Sequence, residues 1–365
     1  MKNKDFFLCK TCLNTSTRPR IIFDNDGRCN ACIWSSQKRE INWKIRLNHL
    51  KKFIKKGENK KSNYDLIVPV SGGKDGSYVT YYCKEKLKLK VLCVTVNPPL
   101  RSSLGYKNLE NFKKNNIDLI EINLPKDAHR KLNQFGFVNS GRPLYGWLIA
   151  IFTAIINIAD NFKINLIMYG EDGEAEYGGV SNLKNKPFFD LNFTKKIYLS
   201  NDYAKALKIL KKNERHWWSV PNSKNIHMSH WSYFENWDSY RNFVISKKFM
   251  GYEENIKKNV GTYTNFGQND TSLYDLHCYL MYLKFGFGRA TQDIGIDIRR
   301  GAMTREQGIE LVKIYDNEFP HYALDEYLEY FRMSKKVFFN VIDKHVNKKL
   351  FKRTKGKWAP KFLIQ

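Results

Sequence analysis

The heptad Ser71-Gly72-Gly73-Lys74-Asp75-Gly76-Ser77 contains the groups a phosphate site requires. Glycines let a backbone approach an anion with no Cβ in the way. Ser71 and Ser77 add hydroxyl donors, Lys74 adds positive charge, and Asp75 can hold Mg²⁺. When such a turn joins a strand to a helix, backbone N–H groups and the helix N-terminus face the anion. The spacing is not that of a Walker loop, which places four residues between its first Gly and its Gly-Lys pair.

Four of the seven cysteines form two pairs, Cys9-Lys-Thr-Cys12 and Cys29-Asn-Ala-Cys32. The gap between the pairs falls in the C-x₂-C-x₁₅₋₂₀-C-x₂-C zinc pattern. Two thiolates on a tight turn can face one ion, and a second such turn completes a tetrahedron. The intervening Phe23 to Gly27 reads as a strand end and turn, so a small ribbon or knuckle is expected. Four thiolates leave no open position, so a Zn²⁺ held there is structural. Disulfides are the competing reading, and a cytosolic chain disfavours them.

A third stretch, Gly170-Glu171-Asp172-Gly173-Glu174-Ala175-Glu176-Tyr177-Gly178-Gly179, sets four carboxylates among glycines. It can bind Mg²⁺, nucleotide hydroxyls or an incoming amine. Further on, Lys284 and Arg289 lie in a glycine-interrupted segment followed by Asp293 and Asp297, and these cations can steady phosphate or a sugar carboxylate. His227 and His230 do not form a metal signature and read as satisfied histidines in an aromatic segment.

The elements that must position these groups follow from apolar patterning. Tyr64 to Val70 is a short β-branched run that reads as a buried strand, and Tyr78 to Leu87 reads as the helix after the glycine turn. Lys90 to Asn97, Asp118 to Leu124 and Asn165 to Tyr169 read as further strands, with helices over Ser103 to Asn115 and Leu144 to Phe162. Alternating strands and helices predict an α/β fold with a doubly wound parallel sheet and ligands at the strand C-terminal ends. Val96 and Asn97 end the second strand and are then candidates for backbone contacts to a ligand at that edge. Ile41 to Ile54 reads as an amphipathic helix leading into a Lys- and Asn-rich linker. The C-terminal third reads as helical: Thr304-x-x-Gln307 is a capping box, and Leu324, Tyr327, Leu328 and Phe331 share one helix face. The expected units are a zinc module at 1–40, a helix and linker at 41–63, a nucleotide domain at 64–215 and an aromatic and helical closure region at 216–365.

The chain has 365 residues, enough for a substantial core, and a formal net charge of +26. Lys, Asn and Ile are abundant even where plain surface helix is expected, so the charge does not point to nucleic acid. The N-terminal residues are polar and run at once into cysteines, so no secretory signal is read and a cytoplasmic location is expected. The longest apolar run, Leu144 to Ile158, is broken by Gly146, Thr153 and Asn157 and reads as a buried helix rather than a membrane span.

The S-G-G-x-D pattern resembles the pyrophosphate loop (PP-loop) of the ATP pyrophosphatase superfamily, although Gly76 stands where that superfamily usually has Ser. Over nearly its whole length the chain also resembles the N-acetyl sugar amidotransferases of bacterial surface-polysaccharide biosynthesis, including the pseudaminic acid and lipopolysaccharide O-antigen enzymes. The likeness rests on the cysteine pairs followed by Ile41-Asn42-Trp43, on Ser71 to Tyr78, on Ile167 to Gly179, on Gly261-Thr-Tyr263, and on Lys284 to Thr291 leading to Met303-Thr-Arg-Glu306. Asp172, where Asn is commoner, and the stretch Val138 to Leu148 depart from the pattern.

The resemblance implies ATP-dependent conversion of an acetamido group to an acetamidino group, with release of AMP and pyrophosphate. It implies an N-acetylated sugar or sugar nucleotide as substrate. The non-zinc cysteines Cys83, Cys93 and Cys278 lack a glutaminase context and position 2 is Lys, so ammonia is expected free or from a separate glutaminase subunit. Expected to bind nucleotide are Ser71, Gly72, Gly73, Lys74, Asp75, Gly76, Ser77, Val96, Asn97 and Gly170. Expected to act in catalysis are Lys74, Asp75, Glu171, Glu176, Lys284 and Arg289. A thiolase-like PP-loop tRNA-modifying enzyme is the alternative, and it would need further reactive cysteines. A non-enzymatic zinc module would leave the glycine and acidic loops unexplained.

Overall fold

The computed structural model describes residues 6–56, 62–179, 182–199, 201–223 and 225–365. At its centre is a five-stranded sheet of β1 (Leu66–Pro69), β2 (Val91–Val96), β3 (Asp118–Ile122), β4 (Leu166–Tyr169) and β5 (His227–His230), in the spatial order 3-2-1-4-5. Every neighbouring pair is parallel, with Leu66 opposite Val91, Ile67 opposite Ile167 and Tyr169 opposite His230. Alternate strand residues feed two cores. Ile67, Leu92, Val94, Ile167 and Met228 face one layer, and Leu66, Val68, Cys93, Leu166 and Met168 face the other. Apolar residues on both faces are what a parallel sheet covered on both sides requires.

The helices, in chain order, are α1 (Asn30–Gln37), α2 (Trp43–Lys55), α3 (Lys74–Tyr81), α4 (Ser103–Lys114), α5 (Lys126–Ser140), α6 (Tyr145–Asn161), α7 (Gly173–Tyr177), α8 (Leu191–Ile197), α9 (Tyr203–Lys208), α10 (Ser239–Met250), α11 (Leu273–Phe285), α12 (Arg289–Arg299), α13 (Arg305–Tyr315), α14 (Leu324–Phe331) and α15 (Lys335–His345). α6 is the apolar run of the sequence and lies buried in the first core. None of the described helices is long and apolar enough to cross a membrane. α3 and α10 pack together over the second core, where Tyr78, Phe112, Trp231 and Met250 are buried.

The expected strands and most helices lie where the apolar patterning places them, within a few residues. Three features differ. α3 begins inside the glycine heptad at Lys74 and passes into a π-helical turn at Tyr82–Lys86. The fifth strand lies beyond residue 215, so the sheet extends past the expected edge of the nucleotide unit. The C-terminal third, read as helical, ends in an antiparallel hairpin, β6 (Phe351–Thr354) with β7 (Lys357–Pro360). Lys355 and Gly356 both have positive φ, the requirement of a two-residue hairpin turn.

The C-terminal helices share one core with α5 and α6: Phe137 and Leu144 lie among Leu276, Leu280, Tyr327, Phe331 and Phe338. The capping box of α13 forms as expected, Thr304 and Gln307 each accepting from the other's backbone N–H. Leu13 of the cysteine module packs with Ala290, Ile294 and Val312 on α12 and α13.

Candidate active site

In the order 3-2-1-4-5 the chain reverses direction of travel across the sheet between β1 and β4, and a crevice opens there at the strand C-terminal ends. The glycine heptad leaves β1 and the acidic loop leaves β4, so both emerge at this crevice. Gly72 has φ of +93°, and a Cβ on it would lie 3.0 Å from the Gly105 carbonyl oxygen and 3.1 Å from the Leu109 nitrogen. Gly73 is the N-cap of α3 and supplies no side-chain cap, which leaves the first-turn N–H groups to a ligand. Gly76 has a packing role. A Cβ there would sit 3.1 Å from Val70 Cγ1, where α3 crosses the end of β1. Ser77 is buried and its hydroxyl donates to the Gly73 carbonyl at 3.0 Å.

Lys74 and Asp75 form an ion pair in the first turn of α3. α10 fixes that turn: Asn242 Nδ2 donates to Asp75 Oδ1 at 3.0 Å, and Ser246 Oγ donates to the Lys74 carbonyl at 2.7 Å. Glu171 lines the same cavity of about 140 Å³. Burial, then the nearby Asp75 carboxylate, raise its pKa to about 7, with Lys74 opposing. The Tyr177 hydroxyl donates to Glu171 at 3.4 Å.

The opposite wall comes from the C-terminal region. Arg289, at the start of α12, is 3% exposed and donates to Asp275 Oδ1 at 3.0 Å and to the Gly267 carbonyl. Asp293, one turn on, accepts from Thr262 at 2.6 Å and Thr264 at 3.2 Å, and burial raises its pKa. The cavity thus brings together Lys74, Asp75, Glu171 and Arg289 from the expected set, and adds Tyr177, Asp293 and Asp297.

Two expected catalytic residues lie elsewhere. Lys284 donates to the Ser140 carbonyl at 2.7 Å where α11 meets α5, and burial, with Arg142 nearby, lowers its pKa to about 8. It does not line the cavity. Glu176 accepts from Lys38 Nζ at 2.8 Å and Trp34 Nε1 at 3.1 Å, and it lines the adjoining cavity instead. The rest of the acidic loop is also tied to the N-terminal module: Arg20 pairs with Glu174, Asn14 Nδ2 donates to the Tyr177 carbonyl at 3.2 Å, and Asn30 donates to the Gly179 carbonyl. Asp172 caps α7. Three of the four carboxylates therefore build the loop, and Glu171 alone faces Asp75.

Gly170 packs against Trp237, which would lie 3.2 Å from a Cβ at that position. At the end of β2 the Val96 carbonyl accepts from Trp147 Nε1 at 2.8 Å. The Asn97 side chain accepts from Arg101, which also donates to the Ser71 carbonyl at 3.2 Å. Arg101 thus links the glycine loop to the second strand, a role its sequence context gives no sign of.

The four paired cysteines are buried, with Sγ–Sγ distances of 3.5 Å (Cys12–Cys29), 3.7 Å (Cys29–Cys32) and 3.8 Å (Cys9–Cys32). A tetrahedron with metal–sulfur bonds of about 2.3 Å has edges of about 3.8 Å, so the cluster fits a metal site. The second pair is not on a turn as expected: Cys29 is the N-cap of α1 and Cys32 lies in its first turn. A helix N-terminus favours thiolate. Backbone N–H groups of Thr11 and Cys29 point at the Cys9 sulfur at 3.4 and 3.2 Å, and Asn14 Nδ2 donates to the Cys29 sulfur at 3.4 Å.

Comparison with known proteins gives one family-model match over part of the chain and distant structural likenesses. No curated protein matches the chain. Among solved structures, NMN synthetase from Francisella tularensis is similar at 12% identity, over 76% of this chain and 94% of that one, with a TM-score of 0.36. The U34-tRNA thiolase NcsA from Methanococcus maripaludis, with its 4Fe-4S cluster, is similar at 11% identity, over 71% and 79%, with a TM-score of 0.33. Residues 260–363, which contribute Arg289, Asp293 and the rest of that cavity wall, match the family model described as LPS biosynthesis protein WbpG-like, C-terminal domain.

Proposed function

We propose that the protein is an ATP-dependent amidotransferase that converts an acetamido group on a bacterial surface-glycan sugar to an acetamidino group. The observation that carries this reading is the meeting, in one cavity, of Lys74 and Asp75 from the glycine loop, Glu171 from the acidic loop, and Arg289 from the region matching the LPS-biosynthesis model. An amide carbonyl is a weak electrophile because its nitrogen donates into it. Transfer of AMP from ATP to the amide oxygen forms a C–O–P link and releases pyrophosphate. Ammonia then adds to the same carbon, AMP leaves with the oxygen, and the amidine remains.

Each residue has a place in that sequence. Gly72, Gly73 and the first turn of α3 receive the departing pyrophosphate, with Lys74 supplying positive charge where negative charge accumulates. Asp75 would hold Mg²⁺, which neutralises phosphate oxygens when bound. Val96 and Asn97 border the adenine. Glu171, with a pKa near the working range, accepts the proton that ammonia loses. Arg289 and the α12 wall enclose the adenylated amide, which water would otherwise return to the amide. The four-cysteine site would hold Zn²⁺, a structural ion without an open position. Ammonia would come free or from a separate glutaminase.

A tRNA thiolase reading is disfavoured by the remaining thiols. Cys83, Cys93 and Cys278 are all buried, and burial raises their pKa values, for Cys93 and Cys278 to about 12. Incubation with ATP, ammonium and a panel of N-acetylated sugars tests the proposal. The expected result is stoichiometric AMP and a product about 1 Da lighter, since NH replaces O, an effect of the proposed displacement chemistry. AMP formation driven by tRNA and by no sugar would refute it.

A further inference from the structure

We propose that the groove walled by Lys38, Arg39, Arg299 and Arg300 is an anion subsite for the acceptor, holding a phosphoryl or carboxylate group of the sugar while its acetamido group lies beside Glu171. This rests on the acetamido-sugar reading above. The groove, about 240 Å³, lies next to the Lys74–Glu171 cavity, and Tyr177 and Ile296 line both. The two differ in charge. The cavity has Lys74 and Arg289 against four carboxylates, whereas the groove has four cations against Glu176 and Asp238. An acceptor spanning both would place its reacting amide in the acid-rich half and its anionic group in the basic half.

Not all of the positive charge is internally satisfied. Lys38 is paired with Glu176, and Arg300 with Asp297 at 2.7 Å. Arg299 Nη2 donates to the Glu176 carbonyl at 2.9 Å, and its buried Nη1 lies beside Gly295, on the side of the cysteine cluster. Arg39 is exposed and has no ion pair among the described residues. Arg39 is thus the groove cation left without a carboxylate, and an oxyanion in the groove would pair with it. The flat indole of Trp237 forms part of the wall and offers a surface for a sugar ring. Arg299 also balances the nearby thiolates of the cysteine cluster and Arg300 is paired with Asp297, which leaves Arg39 as the groove's unpaired cation among the described residues. The cysteine module, which contributes Lys38 and Arg39, then becomes part of the acceptor site.

The test is calorimetric titration of the full chain, with its metal and a saturating non-hydrolysable ATP analogue with Mg²⁺. The probes are N-acetylglucosamine, its 1-phosphate, and N-acetylgalactosaminuronic acid. At least one anionic sugar is expected to bind about tenfold or more tighter than the neutral one. Whichever anion wins identifies phosphoryl or carboxylate. The double variant Arg39→Gln, Arg300→Gln should lose that preference while its affinity for the ATP analogue stays unchanged. Equal binding of all three sugars, no binding of any, or an anion preference kept by the double variant overturns the subsite. Failure of the wild-type chain to bind the ATP analogue would instead refute the ATP-dependent reading on which the subsite rests.

Discussion

Replacing Glu171 by Gln tests the electrostatics of the cavity without changing its shape. In the folded chain burial and the Asp75 carboxylate raise the Glu171 pKa to about 7, whereas the unfolded chain titrates near the ordinary carboxylate value. Between those two values the folded state binds the extra proton, so stability falls as pH rises and the loss is complete above about pH 7. Gln carries no charge at any pH and escapes that loss. Integrating from about pH 5.5 to about pH 8.5, the stability of Glu171→Gln relative to wild type should rise by about 2 kcal/mol. Urea unfolding followed by tryptophan fluorescence at the two pH values measures the difference. The same variant should lose amidine formation, because Gln cannot accept a proton from ammonia. The wild-type rate should rise with pH through about 7, following the charged form of Glu171. A stability difference that is the same at both pH values would refute the placement of Glu171 in a buried, acid-rich cavity.

Lys74→Ala and Asp75→Ala should abolish pyrophosphate release while leaving the circular dichroism spectrum intact; normal turnover by either would remove the glycine loop from the chemistry. Arg289→Ala strands Asp275 and should cost about 3–5 kcal/mol in urea unfolding, in proportion to the burial of that pair. A cost below about 1 kcal/mol, the range of a surface pair, would contradict it. The wild-type chain should contain one zinc by metal analysis, and Cys29→Ser should lose it together with stability; metal-free wild-type protein with the four thiols oxidised would contradict the site.

The sheet was legible because its strands are buried on both faces: β1, β2 and β4 are short apolar runs, and each ends at a turn that carries polar side chains. β5 escaped because His-Met-Ser-His has no β-branched residue, and only pairing with β4 makes it a strand. The glycine loop and cysteine cluster depend on local spacing, which a chain displays directly. Arg289 and Lys284 are five residues apart and chemically alike, yet one enters the cavity and the other binds a carbonyl on α5. Gly286 and Gly288 break the helix between them, and the direction taken after that break is a tertiary outcome. Glu176 was expected to act beside Glu171, and the ion pairs that tie Glu174 and Glu176 to Arg20 and Lys38 come from a module more than a hundred residues away.

Those ion pairs, with the bonds from Asn14 and Asn30, make the acidic loop lean on the cysteine module as well as on the end of its own sheet, where Ser232 bonds Gly170 and Asp172. Linkage is reciprocal, so whatever the cluster contributes to ordering Glu171, a ligand that orders Glu171 returns to the cluster. A metal held by the cluster would then report on the cavity. Chelator-driven metal release should slow when ATP and an acceptor are bound, and an unchanged release rate would show that the loop keeps its shape alone.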